Sequence, residues 1–289
     1  MIFIIDYMAC LVQPSQRNRV FGRVAAFLLL FAMNTSGEER TLDYDFDFES
    51  GQFDLNCSGN CPVITDKYAR SGRYAMASTI SDGSANVRRT EAVIPGKAKL
   101  MEYDRDYWIG FSLYLPEGWM APKAMEILAQ IHRKPDPGEV RTQPPFALYS
   151  GSGFWKVTSQ GWGDKQDWVL NCLYDDVGRW VDFVVHYRPS HSSTGVLQVW
   201  KDGTLVADRK GPTTAEDKLG PYFKLGIYKG RYKAPEKTVY HDNFRVASGP
   251  DAGYADVASG ESSPESAAVS KTGSPVSKAV DSDRECQPR

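Results

Sequence analysis

Residues 221–230 read PYFKLGIYKG. Side chains of a strand alternate between its two faces. In a strand, Phe223, Leu225 and Ile227 share one face, which is apolar and suits a core. Tyr222, Lys224, Gly226 and Tyr228 share the other. A glycine inside a strand often marks a close approach by a ligand or by another backbone. The plain alternative is a half-exposed strand with its lysine in solvent.

Working outward, the rest of 41–247 has the same texture. Short runs rich in Val, Ile, Tyr, Phe and Trp at 107–115, 179–188, 195–201 and 239–246 are separated by Gly, Pro, Asp and Ser. KDG at 201–203 joins two such runs and predicts a hairpin. Helical spacing is nearly absent, with at most one turn at 213–218. About a dozen strands so punctuated predict an all-β fold, a jelly roll built as a concanavalin-like sandwich of two antiparallel sheets.

The ends read differently. Residues 24–33, VAAFLLLFAM, follow Arg17, Arg19 and Arg23 and precede small polar residues. That is the pattern of an export signal, too short to span a bilayer. Residues 1–36 are therefore assigned to a leader, 37–250 to the folded domain, and 251–289 to a disordered acidic tail rich in Ser, Ala and Pro. The expected location is secreted or periplasmic. Cys57 and Cys61 in CSGNC can close a small disulfide there. Cys172 falls on a predicted strand and reads as a core residue, and Cys286 has no evident partner.

A net charge of −2 over 289 residues argues against bulk binding of nucleic acid, and an aromatic content of 12% against wholesale disorder. Two further strands carry chemistry. In MEILAQIH (125–132), Ile127, Ala129 and Ile131 are expected on one face and Leu128, Gln130 and His132 on the other. Gln130 and His132 then stand about 7 Å apart on one face, a pair able to neutralise a carboxylate or move a proton. In NVRRTEAVI (86–94), Arg89 and Glu91 share a face and can form a salt bridge, with Arg88 and Thr90 opposite.

RTE at 89–91, QIH at 130–132 and YFKLGIY at 222–228 resemble the three signature strands of the alginate lyase group of polysaccharide lyases. GFSLYLPEGW, RWVDFVVHYRPS, LQVWKDGTLVAD and VYHDNFRV resemble the heparin lyase I and glucuronan lyase (family 20) branch. The resemblance covers residues 43–247. It departs at Val93, where the alginate lyase motif carries a second arginine.

The resemblance implies a polysaccharide lyase that cleaves an acidic polyuronate, glucuronan or alginate, by β-elimination. It implies Tyr228, His132, Gln130 and Arg89 as catalytic residues and Lys224, Tyr222 and Glu91 as substrate-binding ones. Gln130, Arg89 and His132 would neutralise the uronate carboxylate. Tyr228 would handle the C5 and O4 protons, its ionised form supported by Lys224. No cofactor is required, and a structural Ca²⁺ near Asp242 is allowed but not indicated. The expected partner is the acidic polysaccharide, with no nucleic acid, no membrane and a monomeric state.

Two other functions fit an all-β sandwich. A glycoside hydrolase would need two carboxylates flanking the bond, for which Glu102, Asp104 and Asp106 are the candidates. A non-catalytic carbohydrate-binding module would use exposed aromatics among Trp155, Trp162, Trp168 and Trp200.

Overall fold

The computed structural model describes residues 42–81, 88–96, 100–124, 126–139, 143–230, 232, 235–260 and 286–288. The leader assigned to 1–36 lies outside them. Among the described residues fifteen strands run in chain order: β1 (Tyr44–Phe46), β2 (Asn56–Gly59), β3 (Val63–Thr65), β4 (Ala75–Ile80), β5 (Arg89–Val93), β6 (Tyr107–Tyr114), β7 (Glu126–Lys134), β8 (Phe146–Gly151), β9 (Phe154–Gln160), β10 (Lys165–Cys172), β11 (Trp180–Arg188), β12 (Val196–Lys201), β13 (Thr204–Lys210), β14 (Leu219–Lys229) and β15 (Lys237–Ser248). They form two antiparallel sheets. One has the order β13-β12-β11-β6-β15-β4-β3, with β1 also on β15; the other is β10-β9-β8-β7-β14-β5-β2. This is the jelly-roll sandwich expected from the strand pattern.

Local chemistry explains the turns. Lys201 pairs with Thr204, leaving Asp202 and Gly203 as a two-residue loop, with φ of 48° and 78°. Both positive values match the turn whose twist suits a hairpin, which Asp-Gly favours.

The core lies between the sheets. Phe111 and Phe183 of the eight-stranded sheet stack at 5.6 Å, and Phe223 of the other sheet meets Phe111 at 5.8 Å and Phe244 at 5.5 Å. Trp155 is fully buried there, its indole N–H donating to Asp176 at 2.8 Å. Each fully buried large apolar side chain contributes about 1.5–3 kcal/mol. That burial sets β14 with Phe223, Leu225 and Ile227 inward, so Tyr222, Lys224 and Tyr228 project from the opposite face.

Strand β7 departs from simple alternation. Ile127 pairs with Tyr149 and Ala129 with Leu148, so Leu128 is an extra residue relative to β8. Leu128 joins Ala129 and Ile131 in the core, while Ile127 packs outside with Ala147, Tyr149 and Tyr228. The expected grouping of Ile127 with the core and Leu128 with the outer face is therefore reversed. A bulge re-aims side chains, and alternation cannot foresee it.

The C-terminal end also differs from expectation. Tyr254–Val257 form a short helix, α1, after β15. Val257 is fully buried and packs with Ala258, Val184 and Ala247. The folded body thus extends past Asp251. Cys172 and Cys286 form a disulfide, as do Cys57 and Cys61. Cys172 is not a free core thiol, and Cys286 has a partner 114 residues away in the chain.

Among the described residues no helix is long and apolar enough to cross a membrane.

Candidate active site

The outward face of the seven-stranded sheet gathers every residue singled out from the three motif strands. Register does the gathering. Tyr222 pairs with His132 and Lys224 with Gln130 across β14 and β7. Gly226 pairs with Glu91 and Tyr228 with Arg89 across β14 and β5.

The floor of the site is a buried charge cluster. Glu91, Gln130 and Lys224 are 2%, 1% and 3% exposed. Gln130 Nε2 donates to Glu91 Oε1. The other carboxylate oxygen of Glu91 lies 3.6 Å from Arg89 Nη1 and 3.7 Å from Lys224 Nζ. A buried carboxylate persists when it is paired in this way. Glu91 thus orients Arg89, as expected. Lys224 is not the open surface lysine that alternation alone suggested; its ammonium is drawn into the floor.

The rim is half-buried and holds Arg88, Arg89, Tyr222, Tyr228 and His132. Arg88 Nη2 donates to Tyr228 Oη at 3.2 Å. The guanidinium carbon of Arg89 stands 4.3 Å from the Tyr228 ring centroid, and that of Arg88 5.6 Å. Arg88 was expected on the opposite face from Arg89. It precedes β5, its carbonyl accepting from Lys229 N–H at 2.8 Å, and its long side chain reaches back to Tyr228. The guanidinium groups closing on Tyr228 are those of Arg88 and Arg89, whereas Lys224 Nζ lies 3.2 Å from Ser58 Oγ and 5.4 Å from the Tyr222 ring.

His132 Nδ1 is 2.6 Å from the carbonyl oxygen of Arg133. A carbonyl only accepts, so Nδ1 carries the hydrogen, and in the neutral ring Nε2 holds the lone pair. The ring packs against Tyr222 with centroids 5.6 Å apart.

Gly226 serves β5 rather than a ligand. Its φ is +148°, and a Cβ there would lie 2.2 Å from the Thr90 carbonyl oxygen.

Three residues escaped sequence reasoning. Arg88 is one. Ser58 of β2 is the second, reaching Arg89 Nη1 at 3.4 Å as well as Lys224; CSGNC signalled a loop but not its neighbours. Tyr149 is the third, beside Tyr228 on the outer face. Burial raises the pKa of its phenol, more than the hydrogen bond to Thr158 lowers it, so Tyr149 stays protonated. Alternation in FALYSG already placed Ala147 and Tyr149 on one face.

Cavities flank the rim. One of about 420 Å³ is lined by Asn56, Ser58, Val93, Lys134, Tyr222 and Lys224. Another of about 390 Å³ lies over β8 and β9, lined by Lys123, Tyr149, Lys156, Thr158 and Lys165 among others.

The acids weighed for a hydrolase lie elsewhere. Asp106 binds His186 at 2.7 Å and Arg188, and Asp104 accepts from Thr194 at 2.5 Å. Both belong to the approach to β6 in the other sheet. The oxygens of Asp242 accept the backbone N–H groups of Arg70, Ser71 and Asn243. Among the described residues no group of three or more His, Cys, Asp or Glu is placed to hold a metal ion.

The family described as polysaccharide lyase matches residues 44–245, which span all three motif strands and most of the chain. The chain belongs to that family. It is a polysaccharide lyase in the same sense as its relatives, an enzyme built on this sandwich. Among curated proteins none matches. Of solved structures, the endo-β-1,4-glucuronan lyase of the fungus Trichoderma reesei is similar with a TM-score of 0.53 and 19% identity, over 75% of this chain and 93% of that one. The cellulose-induced protein Cip1 gives 0.49 and 14%, over 71% and 97%. The alginate lyase A1-II′ of family 7 gives 0.48 and 17%, over 64% and 84%. At these identities the likeness to the glucuronan lyase speaks for the shared fold.

Proposed function

We propose that this lyase cleaves an acidic polyuronate by β-elimination, with glucuronan as first substrate and alginate second. The observation that carries the reading is Tyr228, whose phenol oxygen accepts from Arg88 while Arg89 stands over its ring, on one face with His132 and Gln130. The fold shared with a glucuronan lyase supports the choice of first substrate. A low net charge with cations gathered at one face supports an acidic polymer over a heavily sulfated one.

The chemistry follows from the residues. The C5–H bond of a uronate is weakly acidic while its carboxylate carries full charge. Arg89, with the amide of Gln130 and with His132, offsets that charge as the carbanion develops. In glucuronate and mannuronate, H5 and O4 lie on the same ring face. Tyr228, as the phenolate, takes the C5 proton, the electron pair forms the C4=C5 bond, the C4–O4 bond breaks, and the Tyr228 phenol gives the proton to O4. The Arg88 N–H provides a charge-assisted hydrogen bond to the phenolate from which Tyr228 starts and which is regenerated when O4 takes the proton. With an epimer whose H5 lies opposite, His132 Nε2 takes the proton and Tyr228 protonates O4. Tyr222, packed against His132, supplies a face for a neighbouring sugar.

The apolar leader and two disulfides support a secreted or periplasmic site of action.

The test is ultraviolet absorbance of the new double bond on polyglucuronate, polymannuronate, polyguluronate and heparin. A rise on polyglucuronate that is lost in Tyr228→Phe is expected. New reducing ends without absorbance would replace the reading with a hydrolase, and no change by either assay would replace it with a binding module.

A further inference from the structure

Trp162 was singled out in the sequence and has no part in the chemistry above. It is 58% exposed, the one aromatic among the exposed large apolar side chains of the described residues. Trp155 fills the core, Trp168 packs against it, and Trp200 packs with Trp108 and Tyr254. Trp162 sits in the loop between β9 and β10 and lines a cavity of about 470 Å³ with Arg133, Glu139, Gln143, Gln160 and Ala215. That volume falls in the range of small-ligand sites, about 300–1,000 Å³.

The loop that carries the ring is clamped. Gly161 N–H donates to the Asp164 carbonyl at 3.0 Å, and Gln160 Nε2 donates to the same carbonyl at 2.9 Å. Buried Arg209 holds the Asp164 carboxylate at 2.6 Å and the Pro212 carbonyl at 2.5 Å. A Cβ on Gly161 would lie 2.1 Å from that Pro212 oxygen, so the turn is packed against its support. An exposed indole on a fixed backbone is a pre-organised stacking surface, and pre-organisation lowers the entropy lost on binding.

This cavity adjoins the one over β8 and β9, both being lined by Gln143, and differs from it in charge. The cavity over β8 and β9 carries Lys123, Lys156 and Lys165. Among the described residues lining the Trp162 cavity the one cation, Arg133, is ion-paired with Asp217 and with Glu139. One arginine against two carboxylates offers no attraction to a uronate. Glu139 and Gln143 carry carboxylate and amide groups suited to sugar hydroxyls. Stacking on indole needs a flat face of C–H groups, which an all-equatorial pyranose such as glucose or xylose presents.

We infer that the Trp162 cavity is a second carbohydrate site, which takes a neutral, equatorially substituted pyranose chain and is separate from the site for the acidic polymer. Such a site would hold the enzyme on a neutral polysaccharide matrix in which an acidic polymer is embedded.

The test is calorimetric titration of the full chain with cellohexaose and xylohexaose, with no turnover involved, so its result stands apart from that of the lyase assay. Submillimolar binding of at least one is expected, weakened at least tenfold in Trp162→Ala and less than threefold in Trp162→Phe, with unchanged thermal unfolding in both. A uronate oligosaccharide added to Tyr228→Phe should leave that binding intact. Absence of binding to both, or equal binding by Trp162→Ala, would overturn the inference. Displacement by the uronate oligosaccharide would also overturn it, making the cavity an end of the acidic-polymer path.

Discussion

Arg88 Nη2 donates a 3.2 Å hydrogen bond to Tyr228 Oη, so the residue just before β5 reaches the group assigned to proton transfer. Arg88→Ala removes a donor to the phenolate that Tyr228 needs in order to take the C5 proton. Loss of one such donor costs about 10²–10³ in kcat. The expected result is a kcat loss in that range with KM changed less than threefold, and partial recovery in Arg88→Lys. A rise in KM at constant kcat would assign Arg88 to substrate binding instead.

Glu91 neutralises the buried floor. Glu91→Gln keeps the shape and leaves the Lys224 ammonium, 3% exposed, without its carboxylate partner. Breaking a buried pair by removing one partner costs about 3–5 kcal/mol. Urea unfolding should show a loss of that order. A loss below about 1 kcal/mol would mean that water reaches the floor.

Gly226 lies where β5 passes closest. Gly226→Ala forces a side chain into φ +148° and against the Thr90 carbonyl. A strained backbone residue costs about 1–3 kcal/mol before the clash is added. The variant should be destabilised by at least that amount, and its kcat should fall further than its stability, because β14 carries Tyr228 two residues on. Wild-type unfolding and kcat together would show that β5 yields.

The Cys172–Cys286 disulfide closes a long loop. In the chain-entropy view a loop of about 100 residues is worth up to about 4.7 kcal/mol. Cys172→Ser together with Cys286→Ser should lower the unfolding midpoint in urea. Equal midpoints for the double variant and wild type would show that the bridge constrains nothing that unfolds.

His241 of β15 gives a pH dependence with a defined sign. It is fully buried, and burial, outweighing a backbone contact with Leu128, lowers its pKa from 6.5 to about 3. Above pH 6.5 the ring is neutral folded and unfolded, and it contributes no slope. Below pH 6.5 the unfolded chain takes up a proton that the fold refuses, so stability falls with pH down to about 3. At pH 5 the loss from this ring is about 2 kcal/mol. Urea midpoints at pH 7 and pH 5 should converge in His241→Leu relative to wild type. An unchanged difference would place the acid sensitivity elsewhere.

Much of this was legible without coordinates. Burial is alternate along a strand, so Phe223, Leu225 and Ile227 had to turn inward and Tyr222, Lys224 and Tyr228 outward; the same rule paired Arg89 with Glu91 and Gln130 with His132. Asp202-Gly203 announced its hairpin because only a few residues tolerate two positive φ values. The motif strands therefore declared their own faces, and with them the candidate residues of the site.

The remainder depended on what one strand does to another. The extra residue Leu128 brings Ile127, Tyr149 and Tyr228 together, and no local pattern encodes a mismatch between neighbouring strands. Arg88, just before β5, has its backbone tied to Lys229 of β14, which brings its side chain within reach of Tyr228. Cys172 finds Cys286, and Lys224 sinks beside Glu91, through contacts between segments far apart in the chain. Alternation is a property of one chain segment and can be read along it; register, pairing and charge compensation are relations between segments, and they exist only once the sheets have closed.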